Sequence, residues 1–224
     1  MHEFFDDIVP HPEGVDPDVD QIHERAYVVR AYRKDASTIW LRGAVRDQKP
    51  PRMYIPDDDE PLTMHHMIVD LHVTMPMLEI VYAKAVMEMH PSAQCPRIED
   101  HYKNLVGLSI ARGFTHKVRE LFGGPRGCTH TTALLQAMAP VAVQSTWSMG
   151  VLAMRESGGG NTPEISEADT RAFAMRSNLN TCHVWDEHGE RVAAMQNGES
   201  QEIPLWVRRT YEKLDMDPTT WRRI

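Results

Sequence analysis

His65-His66-Met67-Ile68-Val69-Asp70-Leu71-His72-Val73-Thr74 is the stretch from which the fold can be read. Side chains of a β-strand alternate between its two faces. Met67, Val69, Leu71 and Val73 therefore share an apolar face, and His66, Ile68, Asp70 and His72 share a more polar one. His65 has the parity of the apolar face, and an imidazole turned inward at a strand start needs a polar partner. A strand with one apolar and one polar side belongs to an antiparallel sheet covered on a single side.

The neighbouring segments supply the other strands. Tyr27–Arg33 and Ile39–Arg46 alternate β-branched and aromatic residues with basic ones, and the short Lys34–Thr38 connection carries an Asp and a Ser suited to a turn. Residues 47–63 hold four prolines and the run Asp57-Asp58-Asp59-Glu60, a surface loop. After the turn at Met75-Pro76-Met77, Leu78–Met89 reads as a fourth strand because Ile80, Val81, Tyr82 and Val86 are strand formers.

Beyond residue 90 the period changes. Ile98–Leu108 and Thr115–Phe122 carry apolar residues at helical spacing, and Thr129 to about Met154 is the longest helical pattern, with Pro140 inside it. Ser166–Ala174 and a segment from about Pro204 read as further helices. Thr181–Trp185 and Arg191–Met195, flanking Glu187-His188-Gly189, read as a second hairpin. The expected fold is α+β: an antiparallel sheet of about four or more strands in the first half, packed by helices from the second half. Residues 1–22 are acidic and aperiodic, so they are expected to form a flexible arm preceding a single domain over residues 23–224. Ser157–Pro163, with three consecutive glycines, reads as a mobile loop able to act as a lid.

Composition excludes several functions. Lys and Arg total 24 against 32 Asp and Glu, a net charge of −8, which argues against nucleic-acid and anionic-membrane partners. No apolar run reaches the ~20 residues of a membrane span. The opening residues lack the basic and apolar regions of a secretory signal, so the cytoplasm is the expected location. Three cysteines do not make a disulfide framework. The chain lacks the Gly-x-Ser-x-Gly elbow and the Gly-x-Gly-x-x-Gly dinucleotide motif, so no nucleotide cofactor is expected.

The chemistry then rests on His, Cys and Asp. Gly123-Gly124-Pro125-Arg126-Gly127-Cys128-Thr129-His130 places Cys128 at a helix start, where partial positive charge favours an anionic sulfur. His130, two residues on, is positioned to serve as a base or a metal ligand, and the alternative for Cys128 is a small packed residue. Asp70, with His66 and His72 on the same face, is placed to orient an imidazole. Arg126, within the basic group Arg112, Lys117, Arg119 and Arg126, is placed to hold an anionic substrate group. A metal set would have to be assembled from distant segments, with Cys95, Cys128 and His130 as ligands and zinc as the ion.

Several of these segments resemble the bacterial domain-of-unknown-function family 2889. They are Tyr27–Pro50, Met64-His65-His66-Met67, Pro91-Ser92-Ala93-Gln94-Cys95, Asn104–Ile110, the Gly123–His130 run and Thr181-Cys182-His183. The resemblance matches His65 to the family histidine, Cys95 to its loop cysteine, and Cys128 and His130 to its helix-opening pair. It implies no activity. His66 stands where the family pattern usually has Asp. In order of elements the chain is also similar to iron–sulfur cluster scaffold proteins, whose middle cysteine it lacks.

These readings make the expected function a small-molecule enzyme, a lyase or hydrolase. It would use His65, His130 and Asp70 for acid–base chemistry on a small apolar or aromatic compound, with Arg126, His66 and His72 binding the substrate. The 14 methionines suit an adaptable apolar pocket for such a compound. The competing classes are a metal-binding or cluster-scaffold protein and a non-catalytic ligand-binding module. A homo-oligomer is compatible with either.

Overall fold

The computed structural model describes residues 9, 14, 21–111, 113–156, 167–199 and 202–221, without the side chains of 167–170. Most of the acidic arm, Arg112 and the glycine loop 157–163 lie outside the described residues. The chain divides into two compact units, Met1–Gly150 and Val151–Ile224.

The first unit is built on four strands in sequence order: β1 (Glu24–Arg33), β2 (Thr38–Lys49), β3 (Leu62–Thr74) and β4 (Glu79–Met89). All neighbours are antiparallel. This is the α+β arrangement expected from the alternation in β3: Met67, Val69, Leu71 and Val73 are at most 1% exposed, and the residues between them face the other side. In β2, Ile39, Leu41 and Val45 point the same way.

One layer covers that inner face. It comprises a 3-10 segment, Cys95–Leu105, then α1 (Phe114–Phe122), then α2 (Thr129–Glu156). The helical reading of Ile98–Leu108 is met by Cys95–Leu105, which takes the tighter 3-10 form and ends three residues earlier. Glu99, Tyr102 and Leu105 are spaced by three, so a three-residue turn puts them on one face. Tyr102 and Leu105 are fully buried there, and the Glu99 carboxylate accepts the Met87 N–H at 2.7 Å. In α1, Phe114, Val118 and Phe122 recur every fourth residue and all are buried. In α2, Thr131, Leu134, Leu135, Met138 and Ala142 form the buried stripe, and Pro140 lies within the helix.

Helix α2 approaches β2 closely at Gly43. A Cβ there would sit 2.7 Å from Met138 Sδ and 3.1 Å from Leu134 Cδ1. The thioether is flexible and can give way, so Gly43→Ala should destabilise by only about 1 kcal/mol. The urea midpoint measures this; an unchanged midpoint would mean the contact is looser than described.

The second unit is helical where it is described: α3 (Glu167–Asn178), α4 (Glu190–Gln196) and α5 (Leu205–Lys213). The expected hairpin over 181–195 is therefore corrected. His183–Trp185 is a single 3-10 turn, and Arg191–Met195 lies in α4. Val192 and Met195, the two buried residues of α4, are three apart, which is a helical and not a strand spacing. Among the described residues no helix is long and apolar enough to cross a membrane.

Candidate active site

The antiparallel register places three polar residues in one row across the sheet. Arg25 of β1 lies opposite Asp47 of β2, and Asp47 lies opposite His65 of β3. By parity Asp47 continues the inner face after Val45, and His65 shares the face of Met67. The first turn of α2 lies over this row and contributes His130.

Asp47 is the hub. Its carboxylate is only 3% exposed. Arg25 donates to both oxygens, Nε to Oδ1 at 2.5 Å and Nη2 to Oδ2 at 2.7 Å. His130 Nε2 is 3.0 Å from Oδ2 and His65 Nδ1 is 3.3 Å from the same atom. The His65 contact is close but poorly aligned, leaving that buried nitrogen without a well-formed hydrogen bond. The two imidazoles stack, with centroids 4.0 Å apart and planes at 24°. On the other side of His130, Nδ1 is 3.8 Å from Cys128 Sγ.

Electrostatics assign the protons. Burial pushes the Asp47 carboxyl up, but the hydrogen bonds and charge of Arg25, helped by His130, outweigh it and bring the pKa to about 2. Arg25 is raised in return, chiefly by its hydrogen bonds to Asp47. His130 is lowered, first by burial and then by the adjacent His65, against the pull of Asp47. At neutral pH a carboxylate thus faces a neutral imidazole. An ionised carboxylate only accepts, so the Nε2 of His130 carries the proton and Nδ1 presents its lone pair towards Cys128.

Cys128 is held from behind. The fully buried Tyr102 accepts the Cys128 N–H on its hydroxyl at 2.8 Å, and burial pushes the pKa of that phenol up. The Cys128 carbonyl accepts from Thr132 N–H at 2.9 Å, the first hydrogen bond of α2. Cys128 is consequently the capping residue of the helix, as the glycine-rich run before it suggests.

Of the residues singled out in the sequence, His65, His130 and Cys128 come together here. The others do not. Asp70 lies on the outer face of the sheet, accepting from Trp40 Nε1 at 2.8 Å and paired with Arg42 at 3.4 Å. The carboxylate that meets the imidazoles is Asp47. His72 is also on the outer face, stacked on Tyr82 with Lys34 Nζ 3.1 Å from its Nδ1. His66 lines an outer-face groove of about 310 Å³ together with Arg30, Arg46 and Ile68. Burial lowers the pKa of both His66 and His72. Arg126 donates to the carbonyls of Glu120 and Arg119 at 2.9 and 3.4 Å, closing the end of α1. Cys95 packs at the core margin where the 3-10 segment begins. Cys182 is exposed in the second unit.

Asp47 and Arg25 were not singled out in the sequence. Extending the Ile39, Leu41, Gly43, Val45 parity by one step puts Asp47 on the core face, a signal that it must be paired. The group able to hold a metal ion among the described residues is Asp47, His65 and His130, whose ligand atoms all lie within 4.8 Å of one another. It shares only His130 with the set Cys95, Cys128 and His130.

The model of one protein family, DUF2889, described as a protein of unknown function, matches residues 23–144, more than half of the 224-residue chain. That span holds Arg25, Asp47, His65, Cys128 and His130. No curated protein and no solved structure matches the chain.

Proposed function

The chain belongs to the DUF2889 family, whose description names no activity, and from the site itself we propose an enzyme that moves protons at the Asp47–His130–His65 cluster. The reaction class is hydrolysis or non-oxidative elimination on a small apolar or aromatic compound, without a nucleotide cofactor. One observation carries this reading: the His130 ring lies between the buried Asp47 carboxylate, 3.0 Å from Nε2, and the Cys128 sulfur, 3.8 Å from Nδ1, so the carboxylate favours the proton on Nε2 and leaves Nδ1 to accept. A general base must be neutral at working pH and must present a lone pair, and this arrangement meets both conditions. Asp47 positions the base, and His65, stacked on it, is the second group able to give or take a proton.

A divalent cation on the same three residues is the competing reading. It is disfavoured because Arg25 already holds both oxygens of Asp47 and brings a positive charge to the place a cation would occupy. Elemental analysis of tag-free protein separates the two: a metal near one per chain would turn the assignment to a metal centre. The catalytic reading is tested by screening small esters, amides and β-substituted carbonyl compounds. His130→Ala and His65→Ala should each reduce turnover of any hit more than tenfold. If both variants turned over the hit like the parent, the proposal would be wrong.

A further inference from the structure

We propose that Cys128 is a nucleophile, activated by His130 and directed at the acyl carbon of a small ester or thioester. This inference rests on the acid–base reading of the cluster and adds the covalent step. Three observations converge on it. The thiol sulfur lies 3.8 Å from His130 Nδ1, the nitrogen left with a lone pair because Nε2–H points to Asp47. Cys128 is only partly buried, at the margin of the core. Its backbone is clamped between the Tyr102 hydroxyl and the first hydrogen bond of α2, which holds the sulfur against its base. Nucleophile, base and a carboxylate orienting the base is the general constellation of covalent acyl transfer, here assembled from β2 and the start of α2.

The chemistry balances with these residues alone. His130 Nδ1 takes the thiol proton as sulfur bonds to the acyl carbon and the carbonyl π electrons move to oxygen. The tetrahedral adduct collapses by breaking the bond to the leaving oxygen or sulfur, which receives the proton from His130. Water, deprotonated by His130, then attacks the Cys128 thioester, releasing the carboxylic acid and restoring the thiol.

The three cysteines provide an internal comparison. Limited alkylation of the full chain with iodoacetamide at pH 7, followed by peptide mass spectrometry, gives a separate rate for each. If access alone governed the rate, the exposed Cys182 would react faster than the partly buried Cys128. The proposal expects Cys128 to react at least tenfold faster than Cys182. His130→Ala should remove that advantage and leave the Cys182 rate unchanged, and Asp47→Asn should reduce it. Brief exposure to p-nitrophenyl acetate should leave an acetyl group on Cys128 of the parent chain.

A Cys128 slower than Cys182 in the parent, which requires no variant to fold, overturns the proposal. So does a fast Cys128 unaffected by His130→Ala. Loss of turnover in His65→Ala and His130→Ala with no acylation of Cys128 would leave the acid–base reading standing and remove the nucleophile.

Discussion

Asp47→Ala is expected to destabilise the protein by about 3–5 kcal/mol, the range for removing one partner of a buried ionic cluster. The carboxylate accepts from Arg25 and His130 and lies against His65, and an alanine leaves all three facing a void. Arg25 is 39% exposed and can turn to water, which favours the lower end of the range. Urea unfolding at pH 7 measures the difference, and a loss below ~1 kcal/mol would mean that the cluster is not a structural hub. Asp47→Asn preserves the volume but sets an amide N–H₂ among donors, so it should recover only part of the loss.

The same residue predicts a pH dependence with a definite sign. Its folded pKa of about 2 is below the ordinary Asp value of 3.8, so its ionisation stabilises the folded state. That contribution is fully present above pH ~4 and is lost as pH falls towards ~2, amounting to about 2 kcal/mol. Other carboxylates titrate in the same window, so the informative quantity is parent minus Asp47→Ala. That difference should shrink from pH 5 to pH 2.5; a constant difference would mean the carboxylate is not held ionised.

Gly127→Ala is expected to lower reactivity at the site about a hundredfold, the cost of misplacing a reacting group by about an ångström. A Cβ on Gly127 would lie 2.4 Å from the Phe122 carbonyl oxygen and 3.0 Å from its Cα. Both are backbone atoms at the end of α1, where Phe122 is buried against the Tyr102 ring at 4.7 Å. The wall cannot yield, so residue 127 must move and carry Cys128 with it. Overpacking of this kind costs about 1–3 kcal/mol of stability. Gly150→Ala is the control, because its added methyl meets nothing within 4 Å. The Cys128 alkylation rate reads the effect; a Gly127→Ala protein as reactive as the Gly150→Ala control would show that the Gly-Cys-Thr-His geometry is not what tunes the thiol.

Local pattern determined much of the architecture. Period-two alternation in β3 named the face to be buried, because a strand has only two sides and one of them must leave water. The buried stripe of α2 could be read for the same reason with a longer period. Patterns failed where two periods share the same residues. Arg191–Met195 is too short to distinguish strand from helix by eye, and only the three-residue interval between Val192 and Met195 identifies α4. Cys95–Leu105 differs from an α-helix only in pitch, shown by hydrogen bonds that span three residues, from Arg97 N–H to the Gln94 carbonyl and from Val106 N–H to the Lys103 carbonyl.

By itself the sequence determined which residue types could do chemistry and, for His65, which way it points. His130 and Cys128 were legible because they lie within one short glycine-rich run whose helix start is a local event. What only the tertiary structure decided is their partner. Asp47 and Arg25 meet His65 through the registers of two strand pairs, and His130 arrives from the helix packed across them. Asp70 shares its strand with His65 and is nearer to it in sequence, yet it sits on the other face of the sheet. Side-chain parity keeps sequence neighbours apart, cross-strand pairing brings Arg25 and His65 to Asp47 from 22 and 18 positions away, and helix packing adds His130 from 83 positions away.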